Sequence, residues 1–358
     1  MLHLKEFWLE NERCGEPFST DKPRAPLALI FEDHFVTNLV PIESTARYYA
    51  DPAYMIDIHR RANDILEKEI GRRFYSDDSA YYIKGAFEVL MGARRVIREG
   101  NTPWLETRVE DIEDVKKMIR AAEKWEAAIP GAWKLEKEKL RKNHGKRLLF
   151  AHPANGPATI ACNLLGTNNL CMFMMDEPEM MDDFFAVTAE KYMEFYDAAM
   201  LEDNGVVGRE GFGVNDDNCY LFPPRQYERF CAPFLEKLFR RYAPAPGHVR
   251  RQHSDSAMGH LMGSLNALGV NEVNFGPELH PAAIRKAMPK AVIHGQIPPF
   301  ALRNGTYEDI VDYVKRDFEA VGGDGGLVVS LAGAVPESTP LRQIRNLMAA
   351  VEKYTRYG

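Results

Sequence analysis

VRRQHSD, residues Val249–Asp255, opens as a strand-like run and closes on polar, potentially reactive side chains. Three later segments do the same: VNEVNFGPE (Val270–Glu278), AVIHGQ (Ala291–Gln296) and GLVVSLAG (Gly326–Gly333). A helical pattern follows each one. The polar groups therefore fall where strands of a β/α barrel hand over to helices, the face on which barrel enzymes carry their active sites.

Working upstream, PLALIF (Pro26–Phe31) predicts a first buried strand, because a short apolar run bounded by proline and charge suits a parallel strand covered on both faces. Glu32, Asp33 and His34 follow it. Asp51–Gly71 predicts a helix, with an aspartate cap, proline at the first helical position and a terminal glycine. RRFYSDD (Arg72–Asp78) reads as a second strand, RLLFAHP (Arg147–Pro153) as a third and VVGREGFGVNDDN (Val206–Asn218) as a fourth with its loop. Dense alternating charge at helical spacing marks residues 107–143 as a solvated helical insertion. Pro178–Gly205 predicts a long amphipathic helix stopped by Asn-Gly.

With the four opening segments these make eight strands alternating with helices. The pattern predicts an α/β fold of (β/α)8 TIM-barrel type over residues 1–358 as one domain, with residues 1–26 as a partly helical N-terminal extension. An open doubly wound sheet fits the count less naturally.

Hydrophobic residues make up 45% and charged residues 27% of the 358 positions, which supports a folded core and argues against extensive disorder. A net charge of −7 argues against nucleic acid as the main partner. Cys14, Cys162, Cys171, Cys219 and Cys231 form no CxxC pair, and their odd number suits free thiols in a reducing compartment. The N-terminus has no signal-type apolar segment and no run approaches a membrane span, so a cytoplasmic location without membrane attachment is expected. No GxGxxG, Walker or GxSxG pattern occurs in its required strand–loop–helix context.

His253 and Asp255 stand at i and i+2 on an extended segment, so both side chains point to one face, as a shared site requires. The alternative is a hydrogen bond that locks the barrel rim. Asp216 and Asp217 are candidates for substrate or metal contact, adjacency allowing only one to face a pocket, while an Asx-turn or helix cap is the competing role. Tyr220 follows on the same loop as a substrate-binding candidate. His152 and Asn155 occupy another strand exit beside Gly156-Pro157. His294 and Gln296, and likewise Glu32 and His34, share a parity that suits substrate binding, with core packing or helix capping as alternatives. Cys219 offers a soft ligand or a small buried hydrophobe. The methionine-rich CMFMMDEPEMM reads as packing.

Several of these motifs, in this order, resemble the uroporphyrinogen decarboxylase superfamily. They are NDDNCYLFPPRQYERFCAPF (Asn215–Phe234), HSD (His253–Asp255), LNALGVNEVNF, HGQIPPFALRNGTYEDIVDYV and GGLVVSLAGAVPESTPLRQIRNLMAAVEKY, with a weaker echo over residues 26–160. The resemblance implies a β/α barrel and one of two chemistries: metal-free decarboxylation, or cobamide-dependent methyl transfer, often with zinc. The decarboxylases carry an arginine-rich RQAGR motif after the first strand. This chain has FEDHFVTNLVP there, whose acids mismatch a polyanionic porphyrinogen.

The resemblance to the zinc methyltransferase branch implies a His-x-Cys pair and a further cysteine near the last strand. Here Asp255 and Ala332 stand at those places. Zinc also accepts imidazole and carboxylate, so His253 and Asp255 remain candidate ligands, with Cys219, Asp216, Asp217 or Glu278 as possible additions. The function implied is methyl transfer between a small O- or N-methylated substrate and a corrinoid. No DxHxxG-type motif is present, so the corrinoid is expected on a separate protein. A metal-free decarboxylase or lyase would instead need a cationic anchor, for which Arg209, Arg250 and Arg251 are the candidates. A non-catalytic binding barrel is the third class.

Overall fold

The computed structural model describes residues 3–82, 85–125, 127–151 and 154–358. They fall into two compact units: Met1–Ile42 with Ile58–Tyr75 and Arg251–Gly358, and Glu43–Asp57 with Ser76–Arg250.

The first unit is built on parallel strands. The end of the Val249–His253 strand pairs with Glu272–Asn274, that with Val292–His294, and that in turn with Leu327–Val328. The chain's first apolar run lies beside the last, through parallel bridges Leu27↔Val329 and Phe31↔Val335. Hydrogen bonds Ala28 N→Val329 O (2.9 Å) and Val335 N→Ile30 O (2.8 Å) secure it. Pro26 starts the run and contributes only its carbonyl, to Val329 N at 2.8 Å. First strand against last is the pairing that closes a barrel.

Helices Met262–Ala267, Pro281–Ala287 and Tyr307–Val321 follow the expected strands, and Leu341–Tyr354 packs along Tyr307–Val321. Tyr307–Val321 begins with a full capping box between Thr306 and Asp309. The N-terminal helix Leu4–Glu12 is anchored by Trp8, whose indole N–H donates to Ile70 O at 2.7 Å.

In the second unit, Ser79–Tyr81 pairs in parallel with Arg147–Leu149, and Ala154–Asn155 with Gly211–Asn215. The charge-dense insertion forms two helices, Ile112–Ala122 and Gly131–His144. The side chain of Asp111 caps the first by accepting from Glu113 N and Asp114 N. Pro178–Asn204 is the long helix anticipated, ended by Gly205 in the left-handed conformation.

One strand is displaced from its expected place. Arg72–Asp78 is irregular, and the strand begins at Ser79. The cause is Asn63: its Oδ1 accepts from Phe74 N (2.9 Å) and Tyr75 N (3.0 Å), and its amide donates to Tyr75 O (2.8 Å). Those backbone groups are thereby withdrawn from a ladder. The antiparallel pair Arg94–Val96 and Trp104–Glu106 is a further element that the sequence pattern did not reveal.

Candidate active site

In the first unit, parallel pairing sets His253 opposite Asn274 and Arg251 opposite Glu272. Alternation along each strand then puts Arg251 with His253, and Glu272 with Asn274, on common faces. The His253 imidazole is largely buried, with Nδ1 2.8 Å from Asn274 Oδ1 and Nε2 3.5 Å from Asp255 Oδ1. Asp255 is the exposed partner, half-open to solvent. The pairing inferred from i, i+2 spacing is thus present in space.

Gly333 fixes the room around Asp255. It adopts a φ of +117°, and a Cβ there would stand 2.7 Å from Asp255 Oδ1. Only glycine allows both that backbone conformation and the close approach. Glu278 is exposed, and its Oε2 would lie 2.5 Å from a Cβ on Gly276, whose other close neighbours are the Asp255 and Ser256 carbonyls.

Behind this pair lies a second polar group. His294 Nε2 is 3.1 Å from Glu272 Oε1, and Arg251 Nε is 3.6 Å from the same oxygen. Burial pushes the Glu272 carboxyl up, but the hydrogen bond and charge of His294 together with Arg251 outweigh it and hold it below the usual value. His294 is therefore engaged with Glu272. Gln296, which shares its parity with His294, is held by the fold. It is fully buried, and its amide donates to Gly276 O (2.9 Å) and Leu279 O (2.8 Å), stapling the loop that carries Glu278.

Glu32 and His34 lose their shared parity. A helix, Asp33–Leu39, starts directly after Glu32, which becomes its exposed N-cap position, while His34 lies within the first turn. The helical repeat replaces the strand repeat on which the pairing relied.

In the second unit, Asp216 is a structural group. It is fully buried, and its Oδ1 accepts from Thr159 N at 2.7 Å and its Oδ2 from Ala158 N at 3.3 Å. These are amides of the first turn of helix Pro157–Leu165, so Asp216 caps that helix from a distant strand exit. Burial pushes its carboxyl up to about 7, against the pull of the Thr159 and Ala158 hydrogen bonds. The helix-cap alternative thus describes Asp216, and Asp217, the next residue, is exposed.

Cys219 is buried and its thiol donates to Asp216 O at 2.7 Å. Burial pushes that thiol well above its usual range, which opposes the thiolate a metal would need. All five cysteines are free thiols. Tyr220 is exposed. Asn155 donates to the buried Glu88 at 2.7 Å, an oxygen that also accepts from Asn163 at 3.0 Å. His152 lies outside the described residues.

Sequence reasoning did not single out Asn274, Glu272 or Glu88. Asn274 and Glu272 stand two apart in VNEVNF, so their shared face was readable, but the contacts that give them a role come from other strands.

The motifs on these strand exits agree with a family match. The model for uroporphyrinogen decarboxylase (URO-D) matches residues 85–354. The chain belongs to the uroporphyrinogen decarboxylase family. It has the family's (β/α)8 barrel fold, as anticipated from the alternating strands and helices. Among solved structures it is similar to a methyltransferase from Methanosarcina mazei, with 16% identity, 99% of each chain covered and a TM-score of 0.64. No curated protein matches its sequence. Among the described residues, no helix is long and apolar enough to cross a membrane.

Proposed function

We propose that this family member is a methyltransferase that moves a methyl group between a small O- or N-methylated substrate and a corrinoid carried by a separate protein. The observation that carries this reading is the His253–Asp255 pair, 3.5 Å apart at a strand exit. The similarity in fold to a methyltransferase is consistent with it.

The corrinoid, when brought by its partner, supplies the nucleophile that takes the methyl group. The chain's own task is to help the leaving oxygen or nitrogen depart, because an unassisted alkoxide is a poor leaving group. His253, protonated at Nε2, donates that proton to the heteroatom as the bond to methyl breaks. Asp255, 3.5 Å from Nε2, stabilises the imidazolium by its charge before transfer. Proton donation of this kind contributes roughly 10²–10⁴-fold in rate.

The same two atoms suit a zinc ion by donor chemistry, since imidazole nitrogen and carboxylate oxygen are both ordinary zinc ligands. His253 and Asp255 would hold it, and it would act as a Lewis acid toward the same leaving atom. Metal analysis of the purified protein distinguishes the two forms.

Decarboxylation is less well supported. Arg250 donates to Ala243 O at 3.1 Å and Arg251 faces Glu272, so two of the three candidate carboxylate anchors are already engaged. The test is to mix the protein with cob(I)alamin and a panel of methyl ethers and methylamines and follow loss of the cob(I) absorption. Turnover of a member of the panel supports the reading, and none across a broad panel counts against it.

A further inference from the structure

We infer that Asn274 is a positioning residue that fixes the tautomer of His253, placing the ring proton on Nδ1 and leaving Nε2 as the nitrogen that carries chemistry. Asn274 is only 1% exposed, so each of its polar atoms needs a protein partner. Its Nδ2 lies 2.6 Å from His294 O and 2.9 Å from Leu331 O. Both are carbonyl oxygens, which only accept, and together they use both amide hydrogens. Reversing the amide would press Oδ1 against two acceptors and leave buried groups unsatisfied, which is strongly disfavoured.

The amide orientation is therefore determined, and Oδ1 is the atom 2.8 Å from His253 Nδ1. An oxygen with no hydrogen can only accept, so in the neutral imidazole Nδ1 must be the donor. The lone pair then belongs to Nε2, which faces Asp255 Oδ1. A lone pair opposite a carboxylate is an arrangement completed by a positive centre between them, either a proton or a metal ion. Register pairing of the two strands explains why an asparagine here acts on the histidine of its neighbour.

The catalytic consequence rests on the methyl-transfer reading, whereas the tautomer does not, and the experiment separates them. The protein is labelled with ¹⁵N-histidine, and two-bond ¹H–¹⁵N correlations are recorded at alkaline pH, with His253→Gln identifying its signals. The expected result is an Nδ1–H, imine-type Nε2 pattern. In Asn274→Leu the lock is removed, and the pattern should shift toward Nε2–H, the form imidazoles favour without a partner. With an active substrate, the same variant should lose about 10–100-fold in rate, the range seen when the partner that orients a metal-ligating histidine is removed. An Nε2–H pattern in the unsubstituted protein overturns the proposal even if Asn274→Leu does not fold. An unchanged pattern in a folded Asn274→Leu overturns it as well.

Discussion

The carboxylate of Asp216 occupies the space in which a side chain on Gly156 would stand. A Cβ at position 156 would meet Asp216 Oδ2 at 2.5 Å, and the same carboxylate caps the helix that begins at Pro157. Glycine at the N-cap position supplies no capping oxygen of its own, and Asp216 provides one from the Gly211–Asn215 strand exit. Gly156→Ala should therefore displace the cap and destabilise the protein by about 1–3 kcal/mol, as overpacking does. Chemical denaturation midpoints measure this.

Asp216 should also make stability depend on pH. Burial raises its folded-state pKa to about 7, from the ordinary aspartate value of 3.8. Between those values the folded state binds more protons than the unfolded state, so stability falls as pH rises from about 4 to 7 and the loss is complete above 7. Asp216→Asn keeps an acceptor for one helix amide and removes this titration. The variant should have a flatter stability profile over that window and gain stability relative to the parent at pH 8, by an amount on the order of a few kcal/mol at most. Urea unfolding at pH 5 and pH 8 checks both statements.

Arg24 holds the two ends of the chain together. It is fully buried, with Nε 3.2 Å from Glu10 and 3.4 Å from Glu352, and it donates to Asn11 Oδ1, Ala25 O and Phe7 O. Arg24→Met would remove the donor to Phe7 O and Ala25 O, while Glu10 and Glu352 keep their pairing with Arg356, and buried acceptors left unsatisfied cost about 1–3 kcal/mol. A lower melting temperature, with no change in the pH profile of activity, is the expected outcome.

Gly333→Ala tests the space around Asp255. The added Cβ would fall 2.7 Å from Asp255 Oδ1 at a φ of +117°. Strain of about 1–3 kcal/mol is expected in the fold. A shift of Asp255 by an ångström should slow turnover on the order of 100-fold. Activity assayed well below the melting temperature separates the rate effect from unfolding.

The barrel was legible because its strands are short apolar runs ending in polar residues, and Val249–His253, Val292–His294 and Leu327–Val328 all form within the expected segments. His253 and Asp255 were legible for a related reason, since extended backbone makes i and i+2 neighbours. Roles set by distant partners were not. Asn274 takes its hydrogen bonds from residues 20 and 57 positions away, and Asp216 caps a helix almost 60 residues before it. Local pattern also fails where a side chain captures the backbone, as Asn63 does at Phe74 and Tyr75.

The most direct test of the central claim is the rate at which cob(I)alamin absorption is lost with a methylated substrate, compared between the unsubstituted protein and His253→Ala. If His253 supplies the proton to the leaving atom, the variant should be at least about 100-fold slower while remaining folded. Equal rates in the two proteins, or no loss of cob(I) absorption with any methyl ether or methylamine, would contradict it.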